Sequence, residues 1–409
     1  MGYPTRARFM AKLDRTNYEG GREQAYVKHY LLEKYLSSWG YIIGGSAWDS
    51  LVFIDGFAGP WGAKHEAFAD ASFGIAVRTL NEAIDGLFRT RQIRVRALCV
   101  FVETKPKPFA RLDKFAKEHS TDDVRAIALR GRFIENIKAI DEQVAAVGAS
   151  PFKFVFLDQK GWAATPMEKL RPFLQGRSCE VLFNLMTSFL TRFVDAKSRE
   201  SSYHALFGRP GVLEKIRALP TGTGQREEAA VQEYCKSLRD ICRFRYVSQA
   251  VILDPTKEKV LYHLLFATKN PRGIEVFKKA ELEAAKIQDE VRYETHLRKT
   301  GPELPGLFGS GPPRSRLVLE LWRRYTNIAR KNVIKVLSSS KSVEGVPYRE
   351  LFGVAMAFPL VSPDDLVAWL KELEPYVKIK FELSEKRKRP KKPSPMHDDR
   401  VFITNLSAL

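Results

Sequence analysis

Leu51-Val52-Phe53-Ile54-Asp55-Gly56-Phe57-Ala58-Gly59-Pro60-Trp61-Gly62 is a short apolar run that stops at an acid and turns through three glycines. The run lacks polar alternation, which predicts a strand covered on both faces, as in a parallel sheet. A strand that ends in a small glycine-rich turn lets a ligand approach the backbone above the sheet. Asp55, Gly56, Phe57, Gly59 and Gly62 are therefore candidate cofactor contacts. The bland alternative is a tight strand-to-loop turn with no ligand.

The pattern repeats outward from this stretch. Helices are expected over 23–39, 73–84, 108–118, 133–147 and 167–174, and strands over 95–102, 125–129, 153–157 and 180–185. Strands alternating with helices at this spacing predict an α/β, doubly wound, mostly parallel Rossmann-type sheet. A helix over 226–241 and two strands, 244–253 and 260–268, follow. Asp254-Pro255-Thr256-Lys257 between them is turn chemistry, so the sheet is expected to close on an antiparallel hairpin.

Three polar residues stand at predicted strand ends. Glu103 ends the second strand, where a carboxylate can accept both ribose hydroxyls of an adenosine cofactor. Asp158 ends Phe154-Val155-Phe156-Leu157 and falls in the crevice at the carboxyl ends of the strands. It is a candidate to hold a cofactor amine or accept a substrate proton. Asn184 ends the next strand and is a candidate to orient a substrate polar group. Both also read as turn or capping residues. His29 and His65 lie near this region, but no histidine pair has metal-ligand spacing, and no metal is expected. Cys99, Cys179, Cys235 and Cys242 include no C-x-x-C pair, and they read as packing residues of a reducing, cytoplasmic compartment.

The domains expected are an arm over 1–22, the Rossmann-like domain over 23–300, a Pro- and Gly-rich linker over 301–313, and a C-terminal module over 314–409. In that module helices are expected over 317–337, 347–358 and from Ser362-Pro363-Asp364-Asp365 onward, where Ser caps the start and Pro occupies the first turn. Strands over 376–383 and 400–404 flank Lys386-Arg387-Lys388-Arg389-Pro390-Lys391-Lys392. Three helices and a hairpin with a basic tip give the plan of a winged helix. Lys386, Arg387, Lys388, Arg389, Lys391 and Lys392 are the candidate phosphate contacts, with a solvated charged loop as the alternative.

The chain has 409 residues and a formal net charge of +19, with 44% hydrophobic residues. That balance excludes an acidic disordered chain and favours a polyanionic partner, nucleic acid first, with a basic cytosolic enzyme as the alternative. Residues 311–409 hold 19 basic and 11 acidic residues, which is +8 of the +19. The remaining +11 lies on the Rossmann-like part, so the charge is not confined to a tail. No apolar run is long enough for a membrane span.

Taken together, several segments resemble the three-Cys-motif partner protein family, TcmP. They are Lys28-His29-Tyr30-Leu31-Leu32-Glu33-Lys34-Tyr35-Leu36, Phe53-Ile54-Asp55-Gly56-Phe57-Ala58-Gly59-Pro60, Phe101-Val102-Glu103, Phe154-Val155-Phe156-Leu157-Asp158, Glu180-Val181-Leu182-Phe183-Asn184, the stretch 261–271 and the winged C-terminus. The resemblance implies a class I methyltransferase-like Rossmann fold with a C-terminal winged helix. It also implies an S-adenosylmethionine site, a prokaryotic source, and a separate three-cysteine-motif protein as partner. The chain departs from the family pattern at Trp61, at Gln159-Lys160 and at Gly131-Arg132, all on the rim of the implied cofactor site.

Three functions remain open at this point. One is an S-adenosylmethionine-dependent methyltransferase acting on nucleic acid. Another is a methyltransferase scaffold that has lost its chemistry and binds nucleic acid, and the third is a partner-binding module.

Overall fold

The computed structural model describes residues 13–59, 62–65, 67–222, 224–300, 315–340, 344–383, 387 and 390–404. The expected linker over 301–313, most of the arm, Pro60 and Trp61, and Lys386, Lys388 and Arg389 lie outside the described residues.

The N-terminal half alternates as its sequence suggests. Its elements are α1 (Glu23–Gly44), β1 (Ser50–Asp55), α2 (Ser72–Arg91), β2 (Arg96–Glu103), α3 (Pro106–His119), β3 (Val124–Arg130), α4 (Phe133–Val147), β4 (Pro151–Leu157), α5 (Met167–Leu174) and β5 (Cys179–Leu185). Four shorter helices follow: α6 (Thr187–Phe193), α7 (Glu200–Phe207), α8 (Val212–Arg217) and α9 (Gln225–Asp240). Then come β6 (Tyr246–Leu253), β7 (Val260–Thr268) and α10 (Pro271–Thr300). The seven strands form one sheet in the order β3-β2-β1-β4-β5-β7-β6. β1 pairs in parallel with β2 on one side and β4 on the other, with Phe53 opposite Cys99 and Phe154. β2 and β3, and β4 and β5, are also parallel. β6 and β7 are sheet neighbours joined by a connection too short for a parallel crossover. The Asp254 N–H donates to Lys259 O at 3.0 Å, and the Asp254 carboxylate accepts from the Thr256 and Lys257 N–H groups, closing the turn.

Every residue of β1 is buried, as its unbroken apolar run requires. α1 lies on the sheet through Tyr35, which stacks on Phe154 at 5.2 Å and donates its hydroxyl to Glu180 at 2.6 Å. Strand order reverses at β1, so the crevice between the carboxyl ends of β1 and β4 is the topological switch point of the sheet.

Contacts divide the chain into two compact units. One runs to Arg243 and includes Ile252–Leu265; the other comprises Phe244–Val251 and the chain from Phe266 onward. α10, grouped by sequence with the Rossmann-like domain, falls in the second unit. The reason is a polar anchor within that unit. Ser248 and Gln249 donate to Met356 O and Ala357 O at 2.6 and 3.0 Å, and Lys278 of α10 donates to Phe358 O at 2.8 Å. Glu281, ion-paired with Lys278, accepts the Leu360 N–H at 2.7 Å.

The rest of the second unit comprises α11 (Arg316–Ser339), β8 (Val346–Pro347), α12 (Tyr348–Ala355), α13 (Pro363–Glu372), β9 (Val377–Lys380) and β10 (Arg400–Ile403). Its strands form a sheet in the order β8-β10-β9, all antiparallel. α13 starts on the expected cap, since Ser362 Oγ accepts the Asp365 N–H and the Asp365 carboxylate accepts back from Ser362 N–H. The two-residue strand β8 was not expected from sequence.

Gly56 sits where β1 leaves the sheet, and a Cβ there would lie 2.8 Å from Leu157 Cδ2 and 3.0 Å from the Phe133 ring. Both neighbours are buried core groups, so they cannot move aside cheaply. Gly56→Ala is expected to cost about 1–3 kcal/mol of stability, read by denaturant unfolding; an unchanged midpoint would show that the turn is not tightly packed.

Candidate functional site

A cleft of about 1240 Å³ opens at the carboxyl ends of β1 to β5 within the first unit. Gly56, Phe57, Gly59 and Gly62 line it, as do Glu103, Asp158 and Asn184, so the sheet gathers seven of the eight residues expected from sequence around one cavity. The eighth, Asp55, lies beneath the turn. Its carboxylate accepts the Phe57 N–H at 3.0 Å and the Ser72 hydroxyl at 2.5 Å, binding the turn after β1 to the first residue of α2. Asp55 positions the turn, and it is not among the residues that line the cleft. Burial pushes its carboxyl up to about 7, against the pull of those two hydrogen bonds.

Glu103 is buried at the end of β2. Its Oε1 accepts the Lys105 N–H at 2.7 Å and the Thr104 hydroxyl at 3.2 Å. No hydrogen bond to Oε2 forms among the described residues. The Glu103 carbonyl accepts from Gly131 N–H at 3.1 Å. Gly131 has φ +128°, a left-handed conformation open to glycine, and so turns the chain under the cleft into α4.

Asp158 and Asn184 meet. Asn184 Nδ2 donates to Asp158 Oδ1 at 2.7 Å, and Lys28 of α1 ion-pairs with Asp158 Oδ2. Burial works against the Asp158 charge, but the Lys28 cation and the two hydrogen bonds outweigh it, holding the carboxyl below the ordinary carboxylate range. An acid held this way is an acceptor and an electrostatic anchor; it is poorly suited to taking a proton. Next to Lys28, His29 accepts or donates at Nδ1 with the Tyr18 hydroxyl at 2.8 Å. Burial, then the Lys28 charge, lowers His29 to about 3, so it is neutral at pH 7.

A second cation of this segment closes the loop after β1. Arg22 donates to Gly62 O at 2.5 Å and pairs with the buried Asp70 at 2.7 Å, and Asp70 also accepts the Lys64 N–H at 2.8 Å. Sequence reasoning gave no role to Arg22, which it placed in the arm, or to Lys28, which it quoted only within a resemblance, because neither has a local partner in sequence. It named Gln159 only as a departure from a family pattern. Gln159 is 1% exposed and Asn184 3% exposed, and both line the cleft. The Gln159 amide nitrogen and oxygen and Asn184 Oδ1 are buried with no hydrogen-bond partner.

In the second unit, the basic tip is partly committed to the fold. Arg387 grips Asp399 with two hydrogen bonds of 2.6 Å, and Asp399 also accepts the Glu382 and Ser394 N–H groups. Lys392 pairs with Asp364 of α13 at 2.8 Å, and Arg330 of α11 pairs with Glu372 at 2.8 Å. Two of the three acids of α13 are thus matched by cations of the same unit, and the third, Asp365, caps the helix on Ser362. Of the three tip residues described, Lys391 and Lys392 are exposed and Arg387 is a structural staple.

Among the described residues, no group of three His, Cys, Asp or Glu side chains is placed to hold a metal, and no helix is long and apolar enough to cross a membrane. No family model matches the sequence, and no curated protein matches it. Among solved structures the chain is similar to human methyltransferase-like protein 13 in complex with SAH, at 10% identity over 69% of this chain and 96% of that one, with a TM-score of 0.29. It is similar as well to a loganic acid methyltransferase with SAH, at 7% identity over 73% of this chain and 92% of that one, with a TM-score of 0.29. The fold assignment rests on the strand order and register given above.

Two mutational outcomes follow from this geometry. The raised Asp55 carboxyl gives a stability contribution fully present below its unfolded value of about 3.9 and lost as pH rises through about 7. Chemical denaturation across that window is expected to show Asp55→Asn gaining on the parent as pH rises; parallel pH profiles would contradict it. Arg387→Ala leaves the buried Asp399 carboxylate without its cation and is expected to cost about 3–5 kcal/mol in thermal or denaturant unfolding. An unchanged melting temperature would return Arg387 to the pool of free phosphate contacts.

Proposed function

We propose that the cleft binds S-adenosylmethionine and that the protein is a methyltransferase-like enzyme acting on nucleic acid. The observation that carries this reading is Glu103, with one carboxylate oxygen fixed by its own loop and the other left without a partner beside a glycine-rich turn. Ligands of doubly wound sheets bind at this switch point, and a carboxylate there suits the vicinal hydroxyls of a ribose. The unpartnered buried amide of Gln159 and the unpartnered Oδ1 of Asn184 fit the same conclusion, since buried polar groups normally find partners. The cleft volume exceeds the roughly 300–1,000 Å³ of ordinary small-molecule pockets, leaving room for a second reactant.

When bound, S-adenosylmethionine supplies an electrophilic methyl group. Glu103 would hold the ribose, and the turn at Gly56, Phe57, Gly59 and Gly62 would admit the methionine end. Asp158, fixed by Lys28 and Asn184, would orient the acceptor. Methyl transfer demands alignment more than acid–base chemistry, so a pinned carboxylate is sufficient equipment.

The resemblance to the TcmP family supports this reading, as do the helix–strand–helix–helix–strand–strand order of the C-terminal part, read as a winged helix, and the +19 charge. A three-cysteine-motif protein as partner belongs to the same proposal. A second reading, a nucleic-acid-binding scaffold without transfer, is favoured by one observation: both Asp158 oxygens are already engaged within the chain.

Titration calorimetry of the full chain with S-adenosylmethionine is the test. Saturable binding is expected, and Glu103→Ala is expected to weaken it at least about ten-fold, the worth of a hydrogen bond to a charged group. No heat from a folded sample, or equal affinity in the variant, would overturn the proposal.

A further inference from the structure

We infer that the acceptor side of the cleft takes an unpaired nucleobase, its face against Phe193 and its polar edge on the amides of Gln159 and Asn184. The inference rests on the reading of the cleft as a two-reactant site and names the second reactant.

The polar edge comes first. Asn184 spends its Nδ2 on Asp158, which leaves Oδ1 as a buried acceptor with no partner. Gln159 offers both a donor and an acceptor, each buried and unpartnered. Both residues line the cleft, Gln159 just after β4 and Asn184 near the end of β5, and together they offer a donor and acceptors of the kind that the edge of a planar heterocycle carries. Leaving buried donors and acceptors unmet is costly, a burden that a ligand would relieve.

The stacking face is supplied by α6 and the loop after β4. Phe193 lines the cleft and is 37% exposed, an unusual setting for a phenylalanine. Its ring lies 6.0 Å from that of Trp162, which is itself fixed by an indole N–H donated to Ser202 Oγ at 3.0 Å and by Tyr203 at 5.2 Å. One turn earlier on α6, Phe189 is 41% exposed, with the Arg192 guanidinium over its ring at 5.4 Å. Arg199 also lines the cleft. An aromatic ledge carrying cations suits a single strand, because stacking tolerates any base while the cations follow the backbone. In a duplex the base would first have to leave the stack to reach this edge.

The test uses the full chain at fixed salt. A short mixed-sequence oligonucleotide is offered as single-stranded DNA, as single-stranded RNA and as duplex, and affinity is read by fluorescence anisotropy. Single strands are expected to bind more tightly than duplex. Phe193→Ala is expected to weaken single-strand binding about ten-fold or more, with Phe193→Tyr restoring it and the affinity for S-adenosylmethionine unchanged in both variants. Gln159→Leu is expected to weaken the same complex while raising the melting temperature by about 2–4 °C, because an unmet buried amide is removed. Duplex bound as tightly as single strand, no loss with Phe193→Ala, or a lower melting temperature for Gln159→Leu would each overturn the inference. Failure of S-adenosylmethionine binding alongside Phe193-dependent single-strand binding would overturn only the cofactor proposal.

Discussion

Burial works against the charge of a carboxylate on the floor of a cleft, and here Lys28, held beside Asp158, offsets it first. The pair spans a long sequence separation, from the first helix to the end of the fourth strand, so it fixes where α1 lies over the switch point of the sheet. Removing either partner would leave a poorly solvated charge, which is far more costly than losing an exposed ion pair. With α1 fixed, Arg22 at its start reaches Gly62 and Asp70 and shapes the loop after β1. The cleft wall therefore depends on two cations from one short stretch of chain.

The same arrangement divides labour among the acids. Asp55 is spent on the turn, Glu103 keeps one oxygen without a partner, and Asp158 is pinned from both sides. Three carboxylates at the ends of neighbouring strands thus have three different environments, and only Glu103 has unspent accepting capacity toward the cleft. The amides of Gln159 and Asn184 add unspent capacity on the opposite side. A fold optimised only for stability would not leave those groups unmet, which is why they point to ligands.

The sheet was legible in the sequence because strands buried on both faces carry unbroken apolar runs. The spans 133–147, 167–174 and 260–268 match the observed α4, α5 and β7. The helices α6 to α8 were not legible, being short and too brief for a helical period to emerge. The site was legible as strand-end residues, since topology alone brings Gly56, Glu103, Asp158 and Asn184 to one edge. What each side chain does was not. Lys28 reads as a solvated helix residue until Asp158 is seen beside it, and Arg387 reads as a phosphate contact until Asp399 is. Pairings between residues far apart in sequence leave no local signature, and they decide which charges are available to a ligand.

The central claim is that ligand binding belongs to the strand ends of the first unit. Hydrogen–deuterium exchange of the full chain with and without S-adenosylmethionine tests it most directly. Slowed exchange is expected to be confined to the turn after β1, the residues following Glu103 and the turn at Gly131. Unchanged exchange in all three segments at saturating ligand, or protection only in the second unit, would contradict it.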